Sequence, residues 1–298
     1  AGLAQKGRDT GTAGPGTGVP VVLAVLFIGV GGSVVKPTIS GTVQKTHAGR
    51  ATLAFAIFYM VINIGSLVGR VVAFVVRSYW SNLSFIFLVA AGAAIAAFFV
   101  VLLLYRDPER PAELAARPRK SPGRVLLDMV LVLRNGRFAL FLLVSSGFWF
   151  LYNQVYNVLP LYVKRVVETN PAMDLYTAAN PVTIVCFQLL ITKLFGKMKP
   201  IRSIVVGTVI IGLSMLINLL PVYAAGGVRA VSPLWLPLGS LFIVRTVALI
   251  AFGELFTSSR TYEWIGALAP KGQEGLFLGY ANLPMALGSL VGGPVGAL

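Results

Sequence analysis

Long apolar runs separated by short polar gaps dominate this sequence. Most runs reach the roughly 20 residues that an α-helix needs to cross about 30 Å of hydrocarbon. They are continuous stretches of Val, Leu, Ile, Phe and Ala, whereas the strands of a transmembrane β-barrel alternate between apolar and polar residues, so helices are favoured. The pattern predicts about eight membrane-spanning helices, over residues 20–41, 51–76, 82–105, 137–163, 176–196, 201–223, 233–258 and 275–297.

The one long polar stretch, residues 106–136, has three apolar runs before it and five after it. It contains seven Arg and Lys residues, four Asp and Glu residues and four prolines. Basic loops next to membrane helices lie on the cytoplasmic side, and such proline-bearing polar stretches are typical of linkers. We therefore predict a partial N-terminal helical bundle over 1–105, a basic cytoplasmic linker over 106–136 and a partial C-terminal bundle over 137–298. Counting spans from the linker places Lys45 and the basic loop 193–202 on the same side.

Composition supports a bilayer environment, because the chain is 56% hydrophobic and 12% charged, with a mean hydropathy of +0.82. The net charge of +15 resides largely in the gaps between apolar runs, as the positive-inside rule predicts, so no nucleic-acid partner is expected. Cys186 and His47 are the single cysteine and histidine, which excludes an intrachain disulfide and offers neither a metal site nor a nucleophile paired with a base. We predict a multi-pass protein of the cell membrane, expected to be a bacterial inner membrane, that is not an enzyme and has no cofactor.

Both ends of the sequence indicate a fragment. The chain opens without Met on a polar, glycine-rich stretch that lacks the pattern of a signal peptide, and it stops in an apolar run. We therefore expect this chain to be part of a longer protein.

Two ionisable residues within the apolar runs, Lys36 and Glu254, are the main functional candidates. A charge at the bilayer centre costs about 2.5 to 3.5 kcal/mol on insertion scales and marks a functional site by default. The two residues are 218 positions apart, and the sequence Gly-Ser-Leu-Val-Gly occurs at 65–69 and again 223 positions later, as duplicated transporter halves would show. We expect Lys36 and Glu254 to face each other across a central cavity, which suits a zwitterionic ligand or an ion pair opened by protonation.

Each of these residues also has a structural interpretation. Lys36 precedes Pro37 and could snorkel to the cytoplasmic headgroups, and Glu254 could be a carboxylate at a helix end in contact with solvent. Glu254 is the only carboxylate that the predicted runs contain, and proton coupling requires a carboxyl group that is buried in the membrane. Lys36 and Glu254 are therefore the predicted proton-coupling residues.

The second run carries four polar residues spaced so that they share one helical face: Tyr59, Asn63, Ser66 and Arg70. This face is expected to line a cavity, although Arg70 could instead extend outward. Helix packing is the alternative, with Gly65 and Gly69 in a small-residue contact on the adjoining face, and both interpretations can hold together.

Aromatic and amide side chains in the fourth and fifth runs add further candidates. Residues 147–154 include Trp149, Asn153 and Gln154. An interfacial belt would explain the aromatic residues, but amides in the middle of a span favour a pocket. Asn180 with Pro181 opens the fifth run, and proline in a first helical turn is ordinary, so this pair is the weaker signal.

Taken in order, these motifs resemble the proton-dependent oligopeptide transporters of the major facilitator superfamily. Residues 29–40, GVGGSVVKPTIS, are similar to that family's Gly-rich fourth helix ending in Lys-Pro, and residues 58–67, FYMVINIGSL, to its fifth-helix signature. Residues 148–154 are similar to its seventh-helix FWxxYxQ pattern, residues 179–181 to its eighth-helix Asn-Pro motif and residues 253–270 to its tenth helix and the following loop.

The resemblance implies an all-α fold of twelve helices in two six-helix bundles that work by alternating access, of which this chain would hold helices four to eleven. It implies that Lys36 helps to hold a peptide carboxylate and that Glu254 receives the peptide amino terminus. Contacts to the peptide backbone would come from Asn63 and Asn180, and Trp149 and Tyr280 would form pocket walls. Tyr59, Asn153 and Gln154 complete the predicted substrate-binding set. Where this chain has Asn153 the family often has an acidic residue, which leaves the substrate and the proton stoichiometry open.

The leading hypothesis is proton-coupled symport of di- or tripeptides, driven by the proton gradient, with small solutes, protons and the lipid bilayer as partners. Two alternatives remain. A transporter of the same superfamily could move another small solute, such as a nitrogenous metabolite or a drug. A membrane receptor that does not transport could also use this fold.

Overall fold

The computed structural model describes residues 18–79, 84–106, 121–224 and 226–297. The helices of these residues are α1 (Gly18–His47), α2 (Ala51–Tyr79), α3 (Ser84–Leu104), α4 (Pro122–Val132), α5 (Gly136–Asn157), α6 (Met173–Phe195), α7 (Pro200–Leu216), α8 (Leu238–Leu268), α9 (Glu274–Gly279) and α10 (Leu283–Ala297). Single helical turns extend or connect them at Ala48–Arg50, Leu159–Tyr162, Val163–Val167, Ile217–Leu219, Leu220–Tyr223, Gly227–Arg229 and Tyr280–Asn282.

The predicted all-α, multi-pass architecture is confirmed. Within the described residues, seven segments are long and apolar enough to cross a membrane, and the first of them, Val22–Val76, includes both α1 and α2. The predicted linker contains α4 in its second half, and residues 107–120 of that linker lie outside the described residues. The division into two bundles therefore stays a prediction.

Two helices extend well beyond the apolar runs that predicted them, and a third begins earlier. α6 begins at Met173, so Pro181 lies inside this helix and does not open it. Because proline has no N–H, the ladder of backbone hydrogen bonds is interrupted one turn earlier. α1 continues to His47. α8 continues to Leu268, so Glu263 also lies within a membrane-spanning helix. Glu254 is thus the only carboxylate of the predicted apolar runs, but the helix that carries it also contains Glu263.

Helix α8 is the central element of the described structure. In its most apolar stretch 61% of the residues are buried, whereas the other six segments reach at most 33%. It packs against α7, α6 and α2, while α2 also packs against α6, and α10 packs along α5. A side chain on the inward face of α8 therefore meets helices from both predicted bundles.

Small residues allow α7 and α8 to approach closely beside Glu254. A side chain at Gly207 of α7 would overlap the carbonyl of Gly253 and the methyl group of Thr257 on α8. Ser203, one turn earlier on α7, donates a hydrogen bond of 2.7 Å to the backbone carbonyl of Phe256. These contacts fix the position of the α8 turn that carries Glu254.

We expect Gly207→Ala to lower the free energy of unfolding by about 1 to 3 kcal/mol, because the added methyl group overpacks this crossing. The matched control is Gly212→Ala on the same helix, where the added methyl group meets no atom within 4 Å. That control should be neutral or more stable by up to about 1 kcal/mol, as alanine favours helix. Thermal unfolding of the purified protein in detergent measures both, and equal melting temperatures for the two variants would contradict the prediction.

The repeated Gly-Ser-Leu-Val-Gly sequence has different surroundings in its two copies. A side chain at Gly288 of α10 would overlap the backbone of Phe150 and Trp149 on α5, so this glycine permits close helix packing. At Gly65 and Gly69 of α2 an added methyl group would meet no atom within 4 Å. The small-residue contact expected for these two glycines is therefore absent from the described part of the chain.

Candidate functional site

Glu254 is buried where α2, α5, α6 and α8 meet, with an exposed fraction of 7%. Tyr59 of α2 donates a hydrogen bond of 2.5 Å to its Oε2 atom. Its Oε1 atom accepts hydrogen bonds from the Tyr152 hydroxyl of α5 and, at 2.7 Å, from Asn180 Nδ2 of α6. Among the described residues no cation lies within ion-pair distance of this carboxylate. The site therefore holds Glu254 through neutral donors from three other helices.

These donors suit either protonation state of Glu254. A phenol hydroxyl both donates and accepts. If Glu254 is ionised, Tyr59 and Tyr152 donate to it, and if it is protonated its own O–H group can donate to one of the phenol oxygens. The cluster can thus take up or release a proton by turning a hydroxyl group, without leaving a buried polar atom unpaired, which would cost about 1 to 3 kcal/mol.

A cavity of about 370 Å³ lies beside this cluster, between α5, α7 and α8. Its wall includes Lys36, Tyr59, Phe148, Trp149, Ser258, Thr261 and Tyr262. Lys36 is partly buried, and its Nζ atom lies 5.4 Å from the centre of the Tyr262 ring, a cation–π contact. Lys36 has no carboxylate partner among the described residues. The cavity thus has the Lys36 ammonium group at its wall. Tyr59, which also lines the cavity, is hydrogen-bonded to the Glu254 carboxylate.

Several predicted site residues lie away from this cavity. Asn63 is buried and donates to the backbone carbonyl of Tyr59, one turn earlier on α2. Asn153 donates to Ser289 Oγ at 2.8 Å, and Gln154 donates to the carbonyl of Gly292 at 3.1 Å. These two amides hold α10 against α5.

Tyr280 also lies outside the cavity wall, because its hydroxyl donates to the backbone carbonyl of Met129 in α4 at 2.5 Å. Ser66 of α2 is exposed, and Arg70 of the same helix donates to Thr177 Oγ1 of α6 at 2.5 Å. The structure therefore brings together Glu254, Tyr59 and Asn180, with Lys36 and Trp149 on the adjoining cavity wall.

A second polar cluster, absent from the sequence-based prediction, surrounds Arg260 of α8. The Arg260 side chain is 5% exposed. Its guanidinium group donates to the carbonyls of Phe195 and Gly196 at 3.0 and 2.7 Å, to Thr52 Oγ1 at 2.9 Å and to Glu263 Oε2 at 2.6 Å. Thr52 Oγ1 in turn donates to Glu263 Oε1 at 2.7 Å. This Arg260 cluster ties the beginning of α2 to the end of α6 and to α8.

The hydropathy pattern does not indicate Arg260, because the seventh predicted run ends at residue 258. Arg260 and Glu263 are spaced to meet on one helical face, and an ion pair three residues apart just beyond an apolar run is a usable signal. Tyr152 lies in the FWxxYxQ pattern, but the sequence indicates no role for it, since its hydroxyl partner is 102 positions away. No group of three or more His, Cys, Asp and Glu side chains that could hold a metal ion occurs among the described residues.

A buried carboxylate and a cation beside a cavity, inside a set of membrane-spanning helices, are features of a polytopic transporter. The sequence profile of the Major Facilitator Superfamily matches residues 11–293. The chain belongs to this superfamily. The members of this superfamily are multi-pass membrane transporters, and the relatives that match this chain are described as transporters and not as enzymes.

The chain is also similar to three bacterial proteins, whose descriptions do not define one substrate. It is 23% identical over 280 residues to YttB of Bacillus subtilis, an uncharacterized transporter of the superfamily, covering 91% of this chain and 63% of the relative. It is 28% identical over 236 residues to the similarly described Rv0849 of Mycobacterium tuberculosis, covering 78% of this chain and 54% of the relative. It is 23% identical over 285 residues to the multidrug resistance protein MdtH of Aeromonas hydrophila, covering 93% of this chain and 64% of the relative. The chain thus spans less than two thirds of these relatives.

Proposed function

We propose that this protein is a proton-coupled symporter of di- and tripeptides that works by alternating access. The observation that carries the proposal is the placement of Glu254. This carboxylate accepts hydrogen bonds from three neutral donors, and no cation of the described residues lies within ion-pair distance of it. It lies where four helices meet, beside a cavity whose wall includes Lys36.

Proton coupling follows from the cost of an uncompensated charge in the membrane. A transporter that alternates between two openings must pass through a closed state, in which Glu254 is cut off from water. An ionised Glu254 without a cation disfavours this state. A proton on the carboxyl group, or a substrate ammonium paired with the carboxylate, removes the penalty. Movement of the helices is therefore linked to the binding of protons and of a cationic substrate group.

In such a cycle the Arg260 cluster holds the cytoplasmic end of the transporter closed. The positive-inside rule places the loop before α2 and the loop after α6 on the cytoplasmic side. Arg260 connects the helix ends next to both loops through Thr52 and the carbonyl of Gly196. Breaking these hydrogen bonds would separate α2 from α6 and open the cytoplasmic end.

A peptide substrate is supported by the spacing of opposite charges. Tyr262, which contacts Lys36, follows Glu254 by eight residues on α8, or about 12 Å of helix rise. A fully extended tripeptide spans about 10 Å. A peptide could thus place its ammonium group at Glu254 and its carboxylate at Lys36, and the flexible lysine side chain could follow the shorter dipeptide.

A drug-like substrate is the second candidate, because the cavity wall is largely apolar. Val144, Val205 and Val209 line it together with Phe148 and Trp149, and apolar and aromatic walls are usual in sites for small organic molecules. One relative is named a multidrug resistance protein. Such a substrate would need no free carboxylate, and this difference separates the two candidates.

We expect the full-length protein in proteoliposomes to take up labelled dialanine when the outside is acidic. A peptide whose carboxylate is blocked as an amide should compete with dialanine uptake about tenfold more weakly than the free peptide, because it loses a charged hydrogen bond to Lys36. In a Lys36→Gln variant the amide and the free peptide should compete equally. Lys271→Gln, at an exposed position, is the control and should keep the difference. Dialanine uptake that does not depend on the pH gradient would contradict peptide symport. So would a result in which apolar drugs compete with dialanine and other peptides do not.

A further inference from the structure

Two tyrosine hydroxyls connect the buried Glu254 carboxylate to a partly exposed residue of α5. Tyr152 and Tyr156 lie one turn apart on α5, and their hydroxyl oxygens are 3.3 Å apart. Tyr152, with an exposed fraction of 8%, donates to Glu254, whereas the exposed fraction of Tyr156 is 36%. Together they form a continuous row of oxygen atoms from the partly exposed Tyr156 to the carboxylate.

The row has a defined direction. The hydrogen of the Tyr152 hydroxyl is used in its bond to Glu254. In the contact between the two tyrosines, Tyr156 must therefore donate and Tyr152 accept. Every O–H group in the row then points toward Glu254, which is the arrangement that proton transfer to this carboxylate requires.

The row also lies on the opposite side of Glu254 from the cavity. The α5 residues that line the cavity run from Phe141 to Trp149, and Tyr152 and Tyr156 come after them. Tyr59, the donor to the other carboxylate oxygen, does line the cavity. Glu254 is thus reached from the cavity through Tyr59 and from the far side through Tyr156 and Tyr152.

We propose that Tyr156 and Tyr152 form a proton-transfer path to Glu254, separate from the substrate cavity. This inference rests on the proposed proton-coupled transport. A hydronium ion gives a proton to the Tyr156 oxygen, the Tyr156 proton moves to the Tyr152 oxygen, and the Tyr152 proton moves to Glu254 Oε1. Three O–H bonds break and three form, so the hydronium ion becomes water and the carboxylate becomes a carboxylic acid.

The charged groups around the path are compatible with this transfer. Among the described residues, the charged groups near the Tyr156 hydroxyl are Glu254 of α8 and Arg70 of α2. Arg70 is itself held by Thr177 of α6. Because all three protons shift together, neither phenol carries a net charge beside Arg70. The negative Glu254 carboxylate gives the transfer its direction.

Tyr156→Phe tests the path, because it removes one hydroxyl and leaves all three donors to Glu254 in place. In proteoliposomes of the full-length protein we expect the pH-gradient-driven uptake of dialanine to fall about tenfold or more. Exchange of dialanine at equal pH on both sides, which needs no net proton movement, should stay within about twofold of wild type. Tyr223→Phe, whose residue is largely exposed, should change neither rate.

Three outcomes of these transport measurements would overturn the tyrosine path. Driven uptake at the wild-type rate in Tyr156→Phe would overturn the path while leaving proton-coupled transport intact. An equal fall of driven uptake and exchange would also overturn it, because the tyrosine would then support binding or folding. If the wild-type protein exchanges dialanine but shows no driven uptake, proton coupling itself fails and the path fails with it.

Discussion

Glu254→Gln in the full-length protein is expected to reduce pH-gradient-driven dialanine uptake about 100-fold, the scale of removing one partner from a buried charged hydrogen bond. Glutamine has the shape of a protonated glutamate, but it cannot release a proton and cannot form an ion pair with a peptide ammonium. Its amide oxygen still accepts hydrogen bonds, so the donors Tyr152 and Asn180 keep a partner and the fold should be retained. Uptake into proteoliposomes measures the first effect, and thermal unfolding in detergent checks the second.

Glu168→Gln is the matched control for Glu254→Gln. The Glu168 carboxylate also accepts hydrogen bonds from hydroxyl groups, those of Tyr176 and Ser240, both at 2.7 Å. It does not line the cavity. We expect this variant to transport within about twofold of wild type, the range of surface substitutions. If both variants lose uptake equally, or if Glu254→Gln keeps it, Glu254 is not the coupling residue.

Arg260→Gln should lower the free energy of unfolding by about 3 kcal/mol, because removing one partner of a buried ion pair leaves Glu263 without its cation. The hydrogen bonds that tie α6 to α8 and to Thr52 of α2 are lost with it. The same change removes the proposed cytoplasmic closure, so driven uptake should fall as well. Thermal unfolding in detergent and uptake into proteoliposomes report the two effects.

Arg245→Gln provides the comparison on the same helix. Arg245 is exposed and its guanidinium group lies 5.2 Å from the ring centre of Phe242. Losing this exposed contact should cost about 1 kcal/mol or less. Arg260→Lys keeps the charge but loses the planar fork of donors, so it should recover only part of the stability. Equal melting temperatures for Arg260→Gln and Arg245→Gln would show that the Arg260 cluster has no special role.

The helical architecture could be predicted from the sequence because bilayer thickness sets the length of each apolar run. The same reasoning identified Lys36 and Glu254, since a charge within such a run is costly and therefore informative. Helix ends were less predictable. Polar residues that continue a helix beyond its apolar run, such as Glu263, carry no hydropathy signal, and helix ends are set by capping and packing instead.

The partners of polar side chains could not be predicted in the same way. Asn153 and Gln154 are amides in mid-span, which favoured a pocket, but they hold α10. Gln154 reaches the carbonyl of Gly292 because a glycine there lets the two helices approach closely. Whether an amide faces a cavity or a helix depends on which neighbour packs against its face, and the spacing within one helix does not contain that information.

The sequence by itself determined the membrane-spanning helices and the two charges within the apolar runs, because hydropathy and helical spacing are local properties. Tertiary structure alone decided that Tyr59, Tyr152 and Asn180 meet at Glu254, and that Arg260 reaches Thr52. Those pairs are between 74 and 208 positions apart. Hydrogen bonds over such separations exist only once the helices have packed, since the crossing of the backbones fixes which donors and acceptors come within 3 Å of each other.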